Sequence, residues 1–164
     1  MQDWKAKLIN DSPSKEYAVL IMEAINLLFT KDMFLISNNA NERSITFKLA
    51  EYLSYIISSM DIDCEYNLND GVPKRLLIRK KDNSKNEDGF LVYPDIVIHK
   101  RGRKDYNVLV IEIKKSTSNV SNEWDIQKIK GYIEDLDYKF GLYLEIECGM
   151  EQTSIKDIQW FNHE

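Results

Sequence analysis

Apolar positions along the chain recur first with helical spacing, then in alternation, then with helical spacing again. Over residues 14–37, Tyr17, Leu20, Ile21, Ala24, Leu27 and Leu28 predict a helix capped by Ser14, just after Pro13. Its broad apolar surface predicts packing on several neighbours. Residues 41–60 predict a second helix, with Ile45, Leu49, Leu53 and Ile56 as the buried stripe and Asn39 or Asn41 as the cap. Residues 61–69 alternate as a strand does, with Ile62, Cys64, Tyr66 and Leu68 on one face and Asp63, Glu65 and Asn67 on the other. Asp70-Gly71 followed by Pro73 marks a turn. Residues 74–89 predict a short strand running into a polar loop.

The densest β pattern lies in residues 91–116. Two Val/Ile-rich runs, 95–99 and 107–114, flank a basic segment containing Gly102 and predict a β-hairpin. With the turn centred between Arg103 and Lys104, facing residues have numbers that sum to 207, which sets Asp95 opposite Glu112. Opposed residues share a face, and Lys114 follows Glu112 on it. Val108 and Val110 have the same parity, while Leu109, Ile111 and Ile113 take the other face. Apolar residues on both faces are the pattern of a strand covered on both sides.

Charges on such a strand need partners, because an isolated buried carboxylate is costly. Two adjacent carboxylates also repel unless a cation lies between them. A hard divalent ion with oxygen ligands resolves this. An Asp95–Lys114 or Glu112–Lys114 ion pair of purely structural role is the other reading. Both remain open at this level.

Beyond the hairpin, residues 116–122 form a polar loop with Asn122 as the next cap. Residues 123–138 predict a third helix through Trp124, Ile126, Ile129, Tyr132, Ile133 and Leu136, with Gly131 a point of close packing. Residues 139–147 predict a strand reached by a βαβ crossover. Ile155, Ile158, Trp160 and Phe161 predict a final edge strand or docking segment.

The length of 164 residues suits one domain with a real core. Cys64 and Cys148 lack metal-ligand spacing and are expected as buried reduced thiols, a single disulfide being the other reading. No apolar run reaches membrane-span length and the first residues lack a signal-peptide core, so a cytoplasmic location is expected. Neither His99 nor His163 has a Ser or Cys partner spaced for a nucleophilic triad. The net charge of −5 hides an asymmetry: residues 74–115 carry +6 and the remainder −11. The basic excess runs through Lys74, Arg75, Arg79, Lys80, Lys81, Lys100, Arg101, Arg103 and Lys104. It reads either as a phosphate-attracting field or as solvated loop.

Pro94-Asp95 on one strand and Glu112-Ile113-Lys114 on the next resemble the PD-(D/E)XK nuclease superfamily. The stretches NERSITFKLAEYL, DCEYN, PKRL, YPDIVIHKRG, VIEIKKS and YKFGLYLEI look like its small standalone bacterial members, over roughly residues 41–147. The resemblance implies an α/β fold, a restriction-endonuclease-like mixed central β-sheet flanked by helices. Residues 1–40 would be an N-terminal helical extension and 148–164 a C-terminal strand or docking segment. It also implies a metal-dependent nuclease that cleaves phosphodiester bonds in nucleic acid, DNA before RNA. Asp95, Glu112 and the Ile113 carbonyl would hold Mg²⁺, or Mn²⁺ in its place, and Lys114 would orient water and hold the scissile phosphate. Glu42, first in its helix, matches the superfamily's additional glutamate; a first-turn acid favoured by the helix dipole is the bland reading. Lys128 matches, with Asp125, an Asp-x-x-Lys pattern of related small proteins. Gln127 and Tyr132 invite comparison with the Gln…Tyr signature of RecB-like members, although Tyr132 follows by five residues rather than four. Lys128, Lys100 and Arg101 are the candidate backbone-phosphate contacts. A non-catalytic nucleic-acid-binding or assembly module on the same fold is the alternative. A homodimer or an unidentified protein partner stays open.

Overall fold

A computed structural model describes residues 3–77 and 89–163. Arg79, Lys80 and Lys81 of the basic stretch lie outside the described residues.

The helical half begins with α1 (Trp4–Asn10), capped by Asp3. Ser14 caps α2 (Lys15–Lys31), its hydroxyl accepting the Tyr17 N–H. The single helix expected over 14–37 breaks at Asp32, whose backbone leaves helical geometry and whose carboxylate accepts the Tyr52 hydroxyl. A short α3 (Met33–Ser37) follows. Asn41 caps α4 (Glu42–Ile56) by accepting the Ser44 N–H at 2.8 Å, which places Glu42 first in the helix.

The strand expected over 61–69 is shorter, because Glu65 at φ 48° turns the chain after β1 (Asp61–Cys64). β2 (Leu68–Asn69) and β3 (Val72–Pro73) make a separate hairpin across Asp70 and Gly71, both at positive φ, as a tight two-residue turn requires. β4 (Arg75–Leu76) pairs with β5 (Phe90–Leu91). The central hairpin is β6 (Ile96–His99) and β7 (Leu109–Lys115), and its pairs Ile96–Ile111, Val97–Val110 and Ile98–Leu109 all sum to 207. The connection is not symmetric, however. A tight turn at Arg101-Gly102 joins Lys100 to Arg103, and a single 3₁₀ turn at Lys104–Tyr106 takes up the slack. Then come α5 (Glu123–Leu136), β8 (Phe140–Ile146) and β9 (Ile155–Asn162).

The main sheet has the order β1-β6-β7-β8-β9; β7 and β8 run parallel and every other neighbour is antiparallel. It is thus a mixed five-stranded sheet with helices on both faces. Leu8, Ile21, Leu28, Ile45, Leu49 and Leu53 from α1, α2 and α4 pack on Ile96, Ile98, Leu109, Ile111 and Ile113. Ile129, Tyr132, Ile133 and Leu136 of α5 pack on Val97, Val110 and Tyr143 on the opposite face. Alternation along β7 therefore sends Ile111 and Ile113 to one helical layer and Val110 and Glu112 to the other. Val108, just before the strand, departs from that parity and joins the α2/α4 side. The close approach of helix to sheet falls at Gly141 of β8, where any added Cβ would collide with Ile129. Gly131 is buried on the helix above.

Both cysteines are free, Cys148 buried and Cys64 exposed, so Cys64 corrects the expectation of two buried thiols. No helix among the described residues is long and apolar enough to cross a membrane.

Candidate metal centre

The site forms where the central hairpin opens. β6 and β7 pair only as far as Ile96–Ile111. Before Ile96 the chain turns its carbonyls to β1's extension instead: Glu65 N–H donates to the Pro94 carbonyl at 2.9 Å. The β7 edge beyond Ile111 is thereby left without a strand beside it, and its buried N–H groups need other acceptors. Side chains supply them. Asp95 Oδ2 accepts the Ile113 N–H at 2.7 Å, and Glu42 Oε2 accepts the Lys115 N–H at 3.1 Å. Two residues distant in sequence are thus drawn to one opening by the same backbone need. Strand geometry sends the Ile113 carbonyl to the same flank as its N–H. Lys115 reinforces the approach of α4, its Nζ donating to the Asn39 side chain at 3.0 Å and the Ala40 carbonyl at 2.9 Å. Glu42 and Asp95 also line a cleft of about 330 Å³ with Arg43, Thr46, Phe47, Cys64 and Glu65.

On the α5 face the same opening holds a denser charge cluster. Glu112 is 1% exposed, and Lys128 Nζ donates to its Oε2 at 2.7 Å. Asp125, one turn before Lys128, is 3.3 Å from that ammonium through Oδ1 and 2.6 Å from Lys114 Nζ through Oδ2. Among the described residues neither Glu112 Oε1 nor the buried Tyr132 hydroxyl of α5 has a hydrogen-bond partner. Burial, then the neighbouring Asp95, pushes the Glu112 carboxyl well above the usual range. Burial likewise pushes Asp95 up to about 6, with Glu42 and Asp125 adding to the rise against the Ile113 N–H and Lys128. For Lys128, burial works against the charge, but Glu112 and Asp125 outweigh it and hold the ammonium above its ordinary value.

Glu42, Asp95, Glu112, Lys114 and Lys128 therefore meet at one end of β7, together with Asp125. Lys114 lies on the face of Glu112, as alternation requires, but its ammonium goes to Asp125 and the Ser121 carbonyl rather than to either expected acid. The ion pair of Glu112 is with Lys128. Lys128 is consequently a buried partner and not a surface phosphate contact as it stands.

Lys100 and Arg101 stand elsewhere. They follow the far end of β6, Lys100 about 17 Å from Asp95 at the rise of a strand. Asp63 grips the Arg101 guanidinium through both oxygens, with Nε at 2.8 Å, and Asp61 accepts its N–H. Lys100 lies over the Tyr106 ring, Arg103 pairs with Asp105, and Lys74 is buried between Tyr66 and Tyr138. Local acids and aromatics thus take up much of the basic excess that composition alone suggested as a phosphate field. Asp63 also bonds buried His99, and so it serves this cluster and not the metal centre.

Among the described residues, no three acidic, imidazole or thiol side chains stand close enough as placed to hold a metal ion. The reason is visible at each acid: Glu42 turns to Lys115, Asp95 to Ile113 and Glu112 to Lys128. Donor type and charge nevertheless suit a hard divalent cation. Glu42, Asp95, Glu112 and Asp125 supply oxygen only, and Lys114 and Lys128 offset two of their four charges. Beside them one oxygen of buried Glu112 has no partner among the described residues.

In the sequence Asp125 is marked only by its three-residue spacing from Lys128. That spacing is a signal because residues three apart share a helix face. Nothing in the sequence marks Lys115, because its tie to Glu42 is made by its backbone N–H. Burial first, then the nearby Glu112 carboxylate, raises the Tyr132 phenol, although no hydrogen bond joins the two. No protein family matches the chain, and neither a curated protein nor a solved structure is similar to it.

Proposed function

We propose that this protein is a metal-dependent phosphodiesterase acting on nucleic acid, DNA before RNA, with a restriction-endonuclease-like fold. The observation that carries this reading is the gathering of carboxylates at the open end of the hairpin around Glu112, which is itself 1% exposed. Glu112 and Asp125 hold the ammoniums of Lys114 and Lys128, Asp95 and Glu42 bond only backbone N–H groups, and Glu112 Oε1 has no partner among the described residues. A carboxylate left in that condition protonates or takes a cation. The mixed sheet, the preceding helix that delivers Glu42 and the crossover helix that delivers Asp125 and Lys128 support the fold assignment.

Asp95, Glu112, Glu42 and the Ile113 carbonyl would hold Mg²⁺ or Mn²⁺. Such an ion supplies Lewis-acid stabilisation of charge on a phosphoryl oxygen and makes water acidic enough to attack near neutral pH. Lys114 contributes a mobile point charge that binds the scissile phosphate and orients the attacking water. Asp125 keeps that ammonium at the site until substrate competes for it. Phe47 and Arg43, exposed beside the Glu42–Asp95 cleft, form its outer wall.

The second reading is a non-catalytic nucleic-acid-binding or assembly module, and the internal donor found for each acid favours it. One experiment separates the two. The purified protein is incubated with plasmid, linear duplex and single-stranded DNA, and with RNA, with and without Mn²⁺. Cation-dependent cleavage that Asp95→Ala abolishes is the expected result. Absence of cleavage on every substrate, with no Mn²⁺ binding by calorimetry, overturns the enzyme reading.

A further inference from the structure

Resting on that reading, we propose that Lys128 is the resident counter-cation of the centre, which a divalent ion must displace from Glu112 in order to bind. Lys128 reaches Glu112 from the opposite layer of the fold, α5 against β7, and its side chain is only 14% exposed. Its Nζ lies 2.7 Å from Glu112 Oε2 and 3.3 Å from Asp125 Oδ1. These are the contacts of a cation bound by two carboxylates. An ammonium carries one charge, however, and among the described residues Glu112 Oε1 remains without a partner. The occupant is therefore an incomplete substitute for a doubly charged ion.

Lys114 does not share this role, because it is held by Asp125 and the Ser121 carbonyl and makes no bond to Glu112. The device thus has three parts. Glu112 is the contested ligand, Lys128 the internal competitor, and Asp125 the anchor that stays with both lysines. Two positive ions cannot share one buried carboxylate without strong repulsion in a low-dielectric site. The flexible four-carbon stem of Lys128 lets its ammonium swing outward from the helix when a stronger cation takes Glu112. The same motion would turn a buried amine into one presented to solvent beside Lys114.

The decisive measurement is Mg²⁺ affinity by calorimetry in the wild-type chain, Lys128→Met and Asp95→Asn. Lys128→Met should bind at least about tenfold more tightly than wild type, because the competitor is gone while every oxygen ligand remains. Binding by the variant with none detectable in wild type would be the same result in its extreme form. Affinity that is unchanged or weaker in Lys128→Met overturns the proposal while leaving the metal reading intact. Failure of wild type and Lys128→Met alike to bind Mg²⁺ or Mn²⁺ overturns both. If Lys128→Met does not fold without metal, the wild-type chain serves, through amine acetylation read by mass spectrometry. Lys128 should become several-fold more reactive on addition of Mg²⁺, with exposed Lys5 as the internal reference. Equal protection with and without saturating metal overturns displacement.

Discussion

Lys128 of α5 and Glu112 of β7 meet at 2.7 Å across the helix–sheet interface, in surroundings that leave the carboxylate 1% exposed. Removing one partner of a buried pair is costly because the other charge stays buried. In the metal-free protein Lys128→Met should therefore lower stability by about 3 kcal/mol. Urea unfolding with and without Mg²⁺ checks this, and Mg²⁺ should recover much of the loss.

Lys114 stands apart from the ligand acids, bonded to Asp125 and the Ser121 carbonyl. Lys114→Ala should abolish DNA cleavage while retaining Mn²⁺ binding. Asp125 keeps Lys128 as a partner, so the loss of stability should be about 1 kcal/mol. Full cleavage by this variant would remove Lys114 from the chemistry.

Glu42 has two separable tasks, to accept the Lys115 N–H and to bring charge. Glu42→Ala leaves that N–H without its acceptor and should cost about 1–2 kcal/mol in urea unfolding. Glu42→Gln keeps an oxygen acceptor and should stay near wild type in stability, yet bind Mn²⁺ more weakly by calorimetry. Equal metal affinity in Glu42→Gln would confine Glu42 to a structural role.

His99 supplies a pH signature independent of the metal centre. Burial lowers its pKa from the ordinary value near 6.5, with Lys74 acting in the same direction against Asp63 and Asp61. The unfolded chain then takes up the proton more readily than the folded one, so stability falls as pH drops below about 6.5. Asp63, its carboxyl held low by Arg101 and His99 against the effect of burial, adds a loss at more acidic pH. Asp95 and Glu112, with carboxyls raised in the fold, act in the opposite sense over this range, so the His99 contribution is read as a difference: between pH 8 and pH 5 wild type should lose more melting temperature, or gain less, than His99→Gln. An unchanged slope in the variant would exclude His99 as its source.

Gly141 tests the packing that holds α5, and with it Asp125 and Lys128, over the sheet. An alanine there would drive its methyl into Ile129 and should cost about 1–3 kcal/mol. Denaturant titration of Gly141→Ala checks this. Neutral behaviour would mean that α5 shifts easily over β8.

Much of this architecture is local, and local physics is legible in a chain. Ser14 and Asn41 could be read as caps because a side-chain oxygen before a periodic apolar run satisfies free N–H groups wherever it occurs. The register of the central hairpin, expected from a turn centred between Arg103 and Lys104, is the one formed, and the apolar faces hold it, since a slip by one residue would turn the core face to the opposite layer. The expected opposition of Asp95 and Glu112 lies one step beyond the last pair, Ile96–Ile111, and does not form; Asp95 bonds the Ile113 N–H instead. Where β6 leaves β7, and which side chains take over the freed N–H groups of Ile113 and Lys115, depended on the third strand and on α4. Charge partners were hidden for the same reason. The basic run around Lys100 and Arg101 is a phosphate field only if nothing nearby answers it, and Asp63, 38 residues from Arg101, does. Lys114 next to Glu112 in the text of the chain suggested an ion pair, yet Lys128 arrives from another layer and takes Glu112 first. Periodicity records which face a residue occupies; only the packed fold decides which charge it meets there, because that choice is made across elements and by distances of a few ångströms.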